Sequence, residues 1–504
     1  MTDSSSEILT LHTPAQACGW LRGLGLVRLQ TDSRKVSVGD GFIAWPGAVT
    51  DGRSHVAAAL DAGAKACLVE AEGSDAFNFQ DSRVALYPGL KLATGLIAAE
   101  YFSHPSQDLN LIAVTGTNGK TTTAWLLSQA IAKAYGKACG LVGTLGIGMA
   151  VSDQVPQVTH NGLTTPDPVM LQEALAGMKN QGASTCVLEA SSIGVAERRL
   201  DGTHIKVAVF TNFTQDHLDY HGSMQAYWAC KQELFAWKGL LATVVNVDDA
   251  KGVTLAQSLI SSGLDLWTVS IKGQARLRAS ELVYANKGLG FVVHENHTEI
   301  RLQTHLIGEY NVSNVLCVIA SMRALGISLE QAVDACRDLS SVPGRMQCIE
   351  FVNSPLAVVD YAHTPDALAK ALQALHELAE LRGGRLWCLF GCGGNRDTSK
   401  RALMGHMAQM HADQVVLTSD NPRNEAPEKI AAQVMLGMTP GKQVHVQTDR
   451  ALAIAYAVSQ AQPHDVILVA GKGHEDYQEV AGKKIPFIDA EHVRRAFVQK
   501  GYTL

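Results

Sequence analysis

Apolar positions along this 504-residue chain fall into short continuous runs separated by segments of helical periodicity, the alternation that builds a mostly parallel sheet with helices on its faces. The most informative run is Leu111-Ile112-Ala113-Val114, which enters Thr115-Gly116-Thr117-Asn118-Gly119-Lys120-Thr121-Thr122, and behind it Leu126, Leu127, Ala130, Ile131 and Ala134 share one helical face. The pattern predicts strand, glycine turn, helix. A helix N-terminus attracts anions, small residues let backbone N–H groups approach phosphate oxygens, a lysine at the helix start reaches terminal phosphates, and the Thr121 hydroxyl is placed to ligate Mg²⁺. Val114 stands where the strict P-loop spacing asks for glycine. An ordinary glycine turn would have no use for Gly-Lys-Thr-Thr at a helix start, so the nucleotide reading is preferred.

Residues 1 to about 105 read as a small α/β domain: Thr31-Asp32-Ser33-Arg34, a run Gly41–Trp45, a helix near Val56–Ala62 and a strand Ala66–Val69. The polar groups at 31–34 serve a strand cap at least as well as a ligand. After the phosphate loop, charged and hydroxyl residues gather where strands end, which is where open α/β sheets hold ligands. Thr164 and Thr165 precede a helix. The strand Ser184–Leu188 delivers Glu189-Ala190-Ser191-Ser192, and a carboxylate at the tip of a buried strand beside a phosphate loop suits a Mg²⁺ ligand. The strand Val207–Phe210 runs into Thr211-Asn212, followed by Asp216-His217-Leu218-Asp219-Tyr220-His221, two Asp and two His in six residues. A metal and a helix cap are served equally by those residues, and imidazole alone suits Mg²⁺ poorly. A helix Tyr227–Phe235 leaves Lys231 half-buried.

A further strand, Ala242–Val247, and β structure around Gly288–Val293 precede a helix opening with Gly308-Glu309-Tyr310-Asn311-Val312-Ser313-Asn314. The break Pro343-Gly344-Arg345 marks a boundary. Beyond it the strands Leu356–Asp360, Leu386–Phe390, Gln414–Thr418 and Val466–Val469 form a third α/β block, the last two delivering Asp420-Asn421-Pro422-Arg423 and Gly471-Lys472-Gly473-His474-Glu475. Gly391-Cys392-Gly393-Gly394-Asn395-Arg396 is not a dinucleotide fingerprint, because Arg396 replaces the third glycine.

Composition narrows the classes. Hydrophobic residues make up 46% and charged residues 18%, and the net charge of −6 without a basic block argues against a nucleic-acid surface. There is no basic-then-apolar leader and no uninterrupted run of about 18 apolar residues, so the expectation is a cytoplasmic protein without a membrane span. The ten cysteines are scattered, with Cys388 and Cys392 the nearest pair, which argues against structural zinc and disulfides.

Taken together, Gly116–Thr121, Glu189, Asn212, Asp216–Asp219, Tyr227–Phe235, Gly308–Asn314, Pro343–Arg345, Asp360-Tyr361-Ala362-His363 and Asp420–Arg423 resemble the Mur ligases, over nearly the whole chain. The resemblance implies an α/β protein of three domains: a UDP-substrate-binding domain over 1–105, a central P-loop-type ATPase with a mostly parallel sheet over 106–344, and a Rossmann-like amino-acid-binding domain over 345–504. It implies an ADP-forming ligase of peptidoglycan synthesis that joins meso-diaminopimelate to UDP-N-acetylmuramoyl-L-alanyl-D-glutamate through an acyl phosphate. Gly116, Thr117, Asn118, Gly119, Lys120, Thr121, Thr122, Asn311 and Arg345 would bind ATP. Thr121 and Glu189 would hold one Mg²⁺, and His217 with Lys231 a second, Lys231 carrying a CO₂-derived carbamate that answers the imidazole objection. Thr31, Ser33, Ala48, Val49, Thr50, Thr164, Thr165, Ser191, Glu197 and Arg199 would meet the UDP-linked substrate. Arg396, Asp420, Asn421, Pro422, Arg423, Gly471 and Glu475 would meet the amino acid. The chain departs from the family at Ile193, where His is usual, and at Glu197, where Gln is common. A monomer with small-molecule partners is expected. The competing readings are another Mur ligase, a folylpolyglutamate synthase-like ligase, which would lack a uridine-binding first domain, and a P-loop switch or motor, which would leave Asp420–Arg423 unused.

Overall fold

The structure is a computed structural model that describes residues 8–47, 50–285, 288–439 and 444–503. The chain forms two compact units, one running to Val269 with Cys317–Ser328 added, the other comprising Ser270–Leu316 and Leu329 onward.

The first unit contains two sheets. In the N-terminal one, β1 (Leu29–Gln30), β2 (Gly41–Ala44), β3 (Ala66–Glu70) and β4 (Val84–Tyr87) lie parallel in chain order. Glu70, at the end of β3, accepts from the N–H groups of Gly89 (2.9 Å) and Leu90 (2.7 Å), so a strand-end carboxylate caps the helix Leu90–Tyr101. The larger sheet uses β5 (Asn110–Thr115), β6 (Cys139–Gly143), β7 (Gly146–Ala150), β8 (Gln157–Thr159), β9 (Thr185–Glu189), β10 (Ile205–Phe210), β11 (Ala242–Asn246) and β12 (Asp265–Ser270). Their order is β12-β11-β10-β5-β9-β6-β7-β8, parallel from β12 to β6 and antiparallel thereafter. Parallel strands covered on both faces read as unbroken apolar runs, and Leu111–Val114 are accordingly fully buried. With β10 on one side of β5 and β9 on the other, the ends of both neighbours converge on the turn that follows Thr115.

In the second unit, β13 (Leu277–Ala285), β14 (Gly288–Glu295) and β15 (Thr298–Gln303) form an antiparallel meander, of which the apolar pattern around 288–293 marks only the middle strand. A second sheet has β16 (Gln347–Ile349), β17 (Leu356–Asp360), β18 (Leu386–Phe390), β19 (Gln414–Leu417), β20 (Val444–Val446) and β21 (Val466–Ala470) in the order β16-β17-β21-β18-β19-β20, parallel apart from β16. Alternate residues supply two cores: Val358, Cys388, Phe390 and Leu468 pack under helices Pro365–Arg382 and Ser399–His411, while Val359, Leu389, Ile467 and Val469 pack under Arg450–Gln460 and Asp489–Lys500. This double cover is the Rossmann-like arrangement expected of the third block. A hairpin of β22 (Tyr477–Val480) and β23 (Lys483–Pro486) follows β21. Among the described residues, no helix is long and apolar enough to cross a membrane.

Candidate active site

The turn after β5 is a close-packed phosphate loop. A Cβ on Gly116 (φ 149°) would lie 2.0 Å from Thr211 Oγ1, so glycine is required by the approach of the two strand ends. The loop is fastened to the end of β10: Thr117 N–H donates to the Asn212 carbonyl (2.9 Å), Asn118 N–H to Asn212 Oδ1 (2.8 Å), Asn212 Nδ2 to the Asn118 carbonyl (3.0 Å) and Thr211 Oγ1 to the same carbonyl (2.6 Å). Gly119, in the left-handed region at φ 82°, turns the chain into the helix Lys120–Tyr135, whose first turn carries Thr121 and Thr122. Lys120 Nζ folds back to the carbonyls of Gly116 and Thr117, 2.8 Å each, which centres its charge over the loop beside the positive end of the helix.

Glu189 ends β9 and is buried. Its Oε2 accepts from Thr121 Oγ1 (2.9 Å) and Thr144 Oγ1 (3.2 Å), and its Oε1 from Thr144 N–H (2.8 Å). The donor set is oxygen only, with one carboxylate and adjoining hydroxyls, which fits Mg²⁺; that ion takes its remaining ligands from phosphate and water rather than from an all-protein cage. No group of three or more His, Cys, Asp or Glu among the described residues is arranged to hold a metal. Thr144 carries no signal in the sequence: it reaches Glu189 because β6 and β9 are neighbours in the sheet.

Lys231 is brought to the same loop by the helix Met224–Glu233, capped by Ser223 Oγ accepting from Ala226 N–H. Its Nζ donates to the Gly116 carbonyl (2.8 Å), sits 4.5 Å from the centroid of the Tyr227 ring and is buried with the side chain. Burial, reinforced by the Lys120 charge, pulls its pKa from 10.5 to about 6, so at neutral pH it is largely a free amine. Tyr227 in turn hydrogen-bonds Thr117 Oγ1 at 3.1 Å, and burial raises its phenol to about 12. The His217 and His221 rings both pack against that ring (centroids 6.0 and 5.1 Å), His217 with Nε2 3.4 Å from Asp216 Oδ2 and His221 with Nε2 3.0 Å from Ser192 Oγ. The two histidines are therefore turned to different partners.

The residues expected to face the UDP-linked substrate form two groups. Thr31 and Ser33 flank Asp32, whose carboxylate accepts from Arg34 N–H (3.1 Å) and pairs with the Arg34 guanidinium, and Thr50 Oγ1 meets His55 Nε2 at 3.3 Å. Ala48, Val49 and the Asp219 side chain lie outside the described residues. Thr164 joins the Glu189 cluster through Thr144 (3.0 Å). Thr165 Oγ1 donates to the Glu189 carbonyl (2.7 Å) and contacts Ser191 Oγ (3.0 Å), and Arg199 Nη1 donates to the Thr165 carbonyl (2.9 Å). Glu197 pairs with Lys91 Nζ at 2.7 Å and accepts from the Tyr220 hydroxyl; the Lys91 hydrogen bond holds its carboxyl below the usual range.

In the second unit, Asn311 Nδ2 donates to the Ile307 carbonyl (2.7 Å) and its Oδ1 accepts from Asn314 (2.9 Å). The Arg345 guanidinium stacks on Tyr361 at 5.3 Å, beside Asp360, whose carboxyl is raised by burial while accepting from Met346 N–H (2.8 Å) and Ala362 N–H (2.9 Å). After β19, the buried Asp420 and Asn421 meet residues after β21: Asn421 Nδ2 donates to Glu475 Oε2 (2.8 Å), and the fully buried Lys472 donates to Asn421 Oδ1 (3.1 Å) and Glu475 Oε2 (2.9 Å). Gly471 has no room for a Cβ, which would lie 2.5 Å from Asp420 Oδ2. Beyond Pro422, Arg423 adopts φ 51°, with Nη1 donating to the Gly394 carbonyl (2.9 Å) and Nε 3.1 Å from Glu479. Arg396 is exposed. Beneath these loops the buried pair Arg450–Asp489 (2.7 Å) also supplies donors to the carbonyls of Ser419 (3.2 Å) and Ala470 (2.9 Å), holding the ends of both strands. Thr144, Lys472 and Glu479 thus complete clusters whose other members stand out in the sequence, and Arg450 supports the strand ends beneath two of them.

Three segments match family models in order: Mur ligase family, catalytic domain (residues 27–91), Mur ligase middle domain (114–322) and Mur ligase, glutamate ligase domain (344–473). A protein of Acidovorax sp. (strain JS42) named UDP-N-acetylmuramoyl-L-alanyl-D-glutamate–2,6-diaminopimelate ligase is 55% identical over 98% of both chains. The chain belongs to the Mur ligase family. It is an ATP-dependent ligase by that membership. A protein of the same name from Janthinobacterium sp. (strain Marseille) is 45% identical over 97% of this Mur ligase and 98% of that relative. A solved structure of a UDP-N-acetylmuramoyl-L-alanyl-D-glutamate–2,6-diaminopimelate ligase, 36% identical, superposes with a TM-score of 0.70 over 95% of this chain and 96% of that one.

Proposed function

We propose that this Mur ligase joins meso-diaminopimelate to UDP-N-acetylmuramoyl-L-alanyl-D-glutamate, with ATP converted to ADP and phosphate, in the making of peptidoglycan precursors. The observation that carries the reading is the end-to-end likeness, at 55% identity, to a relative named for that reaction. The glutamyl side-chain carboxylate attacks the γ-phosphorus of ATP and ADP leaves; the amine of diaminopimelate then attacks the acyl phosphate carbon, losing a proton as the amide forms and phosphate departs with the former carboxyl oxygen. Residues 1–105 would hold the UDP-linked acceptor, 106–344 the ATP and 345–504 the amino acid.

Lys120 and the N–H groups of the loop and first helical turn would bind the β- and γ-phosphates, where developing charge is greatest. Mg²⁺, held through Thr121 and Glu189, would neutralise phosphate charge. Thr144 would position Glu189 by occupying both of its oxygens. As a free amine, Lys231 can add to CO₂, forming one N–C bond and releasing a proton, and the resulting carbamate would turn a neutral amine into an anionic oxygen donor. Asn311 and Arg345 would contact the nucleotide; Thr31, Ser33, Ala48, Val49, Thr50, Thr164, Thr165, Ser191, Glu197 and Arg199 the UDP-linked acceptor; Arg396, Asp420–Arg423, Gly471 and Glu475 the amino acid. Arg423 would pair with the distal carboxylate that distinguishes diaminopimelate from lysine. ATP and UDP-linked precursors are cytoplasmic metabolites, so the reading carries a cytoplasmic location, and a single chain would supply every group named. Incubation of purified protein with UDP-muramoyl dipeptide, ATP, Mg²⁺ and a panel of amino acids tests it: the tripeptide product should form best with meso-diaminopimelate, and preference for another amino acid would overturn the assignment.

A further inference from the structure

Glu479 is not among the residues that the sequence marks for chemistry, yet it is strapped to the Asp420–Arg423 turn on three sides. Its N–H donates to Asn421 Oδ1 (2.9 Å), its carbonyl accepts from Arg423 N–H (2.9 Å), and its carboxylate lies 3.1 Å from Arg423 Nε. The strap continues where Ala481 N–H donates to the Arg423 carbonyl (2.7 Å) and Gln478 Nε2 to the Asp420 carbonyl (2.7 Å). On the guanidinium's other flank, Nη1 donates to the Gly394 carbonyl, and the missing side chain of Gly393 leaves room for it, since a Cβ there would stand 3.0 Å from Nη1. One carboxylate at Nε and one carbonyl at Nη1 fix both the roll and the reach of a side chain that otherwise has several rotatable bonds. Among the described residues Nη1 makes one hydrogen bond, to the Gly394 carbonyl, and Nη2 makes none, so Nη2 and the second N–H of Nη1 remain for a ligand carboxylate.

We propose that Glu479 is a specificity-positioning residue, which holds the Arg423 guanidinium so that its end-on fork receives the distal carboxylate of the amino-acid substrate. The proposal rests on the reading of Arg423 as the residue that meets that carboxylate. It also explains why the hairpin Tyr477–Pro486 is tied to the turn through backbone as well as side chains: the strap holds the clamp that holds the arginine. A substrate without the second carboxylate gains nothing from this arrangement, so removing it should narrow discrimination rather than abolish turnover.

Steady-state kinetics of Glu479→Gln, Glu479→Asp and Arg423→Ala with meso-diaminopimelate and L-lysine provide the test. Glu479→Gln should raise KM for meso-diaminopimelate about tenfold, with kcat within about twofold and lysine kinetics unchanged, because only orientation of the fork is lost. Glu479→Asp, which keeps the charge on a shorter arm, should recover part of the ratio, an effect that loss of mere structural support would not show. If Arg423→Ala narrows the diaminopimelate-to-lysine ratio while Glu479→Gln does not, the positioning role is overturned and the Arg423 reading stands. If neither variant changes the ratio, both are overturned.

Discussion

Replacing Lys231 by methionine separates the cost of burying an amine from its use. Methionine is close in length and carries no charge. Holding Lys231 neutral at pH 7, when its ordinary pKa is 10.5 and its buried value about 6, opposes folding by of order 5 kcal/mol in protein without CO₂. The lost Nζ hydrogen bond returns about 1 kcal/mol, and the Gly116 carbonyl keeps Lys120 Nζ as a donor. Lys231→Met should therefore be more stable than wild type in CO₂-free buffer while losing turnover. The sign with pH follows from the depressed folded pKa: between about pH 6 and 10.5 the unfolded chain binds the proton and the folded chain does not, so wild-type stability rises with pH through that window. The variant lacks this proton, so its advantage should shrink by about 1.4 kcal/mol per pH unit. Denaturant unfolding of both proteins from pH 6.5 to 9 measures it, and parallel stability curves would refute the buried free amine. Bicarbonate should raise the wild-type midpoint and leave the variant's alone, and short aliphatic carboxylates should restore part of the activity to Lys231→Ala; an alanine variant fully active without them would remove the carbamate from the account.

Other perturbations follow from the same contacts. Lys120→Ala should abolish product formation while the UDP-linked substrate still binds, as measured by calorimetry, because the lysine meets the phosphate loop and not the first sheet; near wild-type turnover would sink the loop assignment. Arg423→Ala should lower kcat/KM for meso-diaminopimelate by the roughly 2–5 kcal/mol of a broken desolvated charge pair and affect L-lysine far less, as competition between the two amino acids would reveal. Arg450→Met should destabilise the second unit by about 3–5 kcal/mol, since Asp489 would stay buried without its partner, whereas the double variant with Asp489→Leu should recover much of that loss in thermal unfolding.

The phosphate loop is legible in the sequence because its determinants are local: an apolar strand, two glycines and Lys-Thr at a helix start. Glu189 is legible for a related reason, as a carboxylate at the end of a buried run needs a partner. Thr144 is not, because its hold on Glu189 comes from sheet neighbours 45 residues apart. Lys231 looks like an ordinary helix charge until the fold places it on the carbonyl of Gly116, 115 positions away. The helix carrying it begins at Met224, earlier than its aromatic residues suggest, because Ser223 caps it. The strand ending in Glu189 runs Thr185–Glu189, one residue beyond the apolar run. The meander β13–β15 was legible only at its middle strand, β14, which is buried along its length, whereas β15 is largely exposed and lacks the apolar run. Glu479 falls on a half-buried hairpin strand without an apolar pattern, and only the pairing with Arg423 singles it out.

Activation of a carboxylate by phosphorylation and its capture by diaminopimelate leave a trace in the fate of one oxygen atom. UDP-muramoyl dipeptide labelled with ¹⁸O in the glutamyl side-chain carboxylate should yield, in the presence of ATP, Mg²⁺ and meso-diaminopimelate, inorganic phosphate carrying one labelled oxygen for each amide formed. Phosphate released without label, or released at the same rate when the dipeptide or the amino acid is left out, would mean that water is the acceptor of the phosphoryl group and would contradict the account.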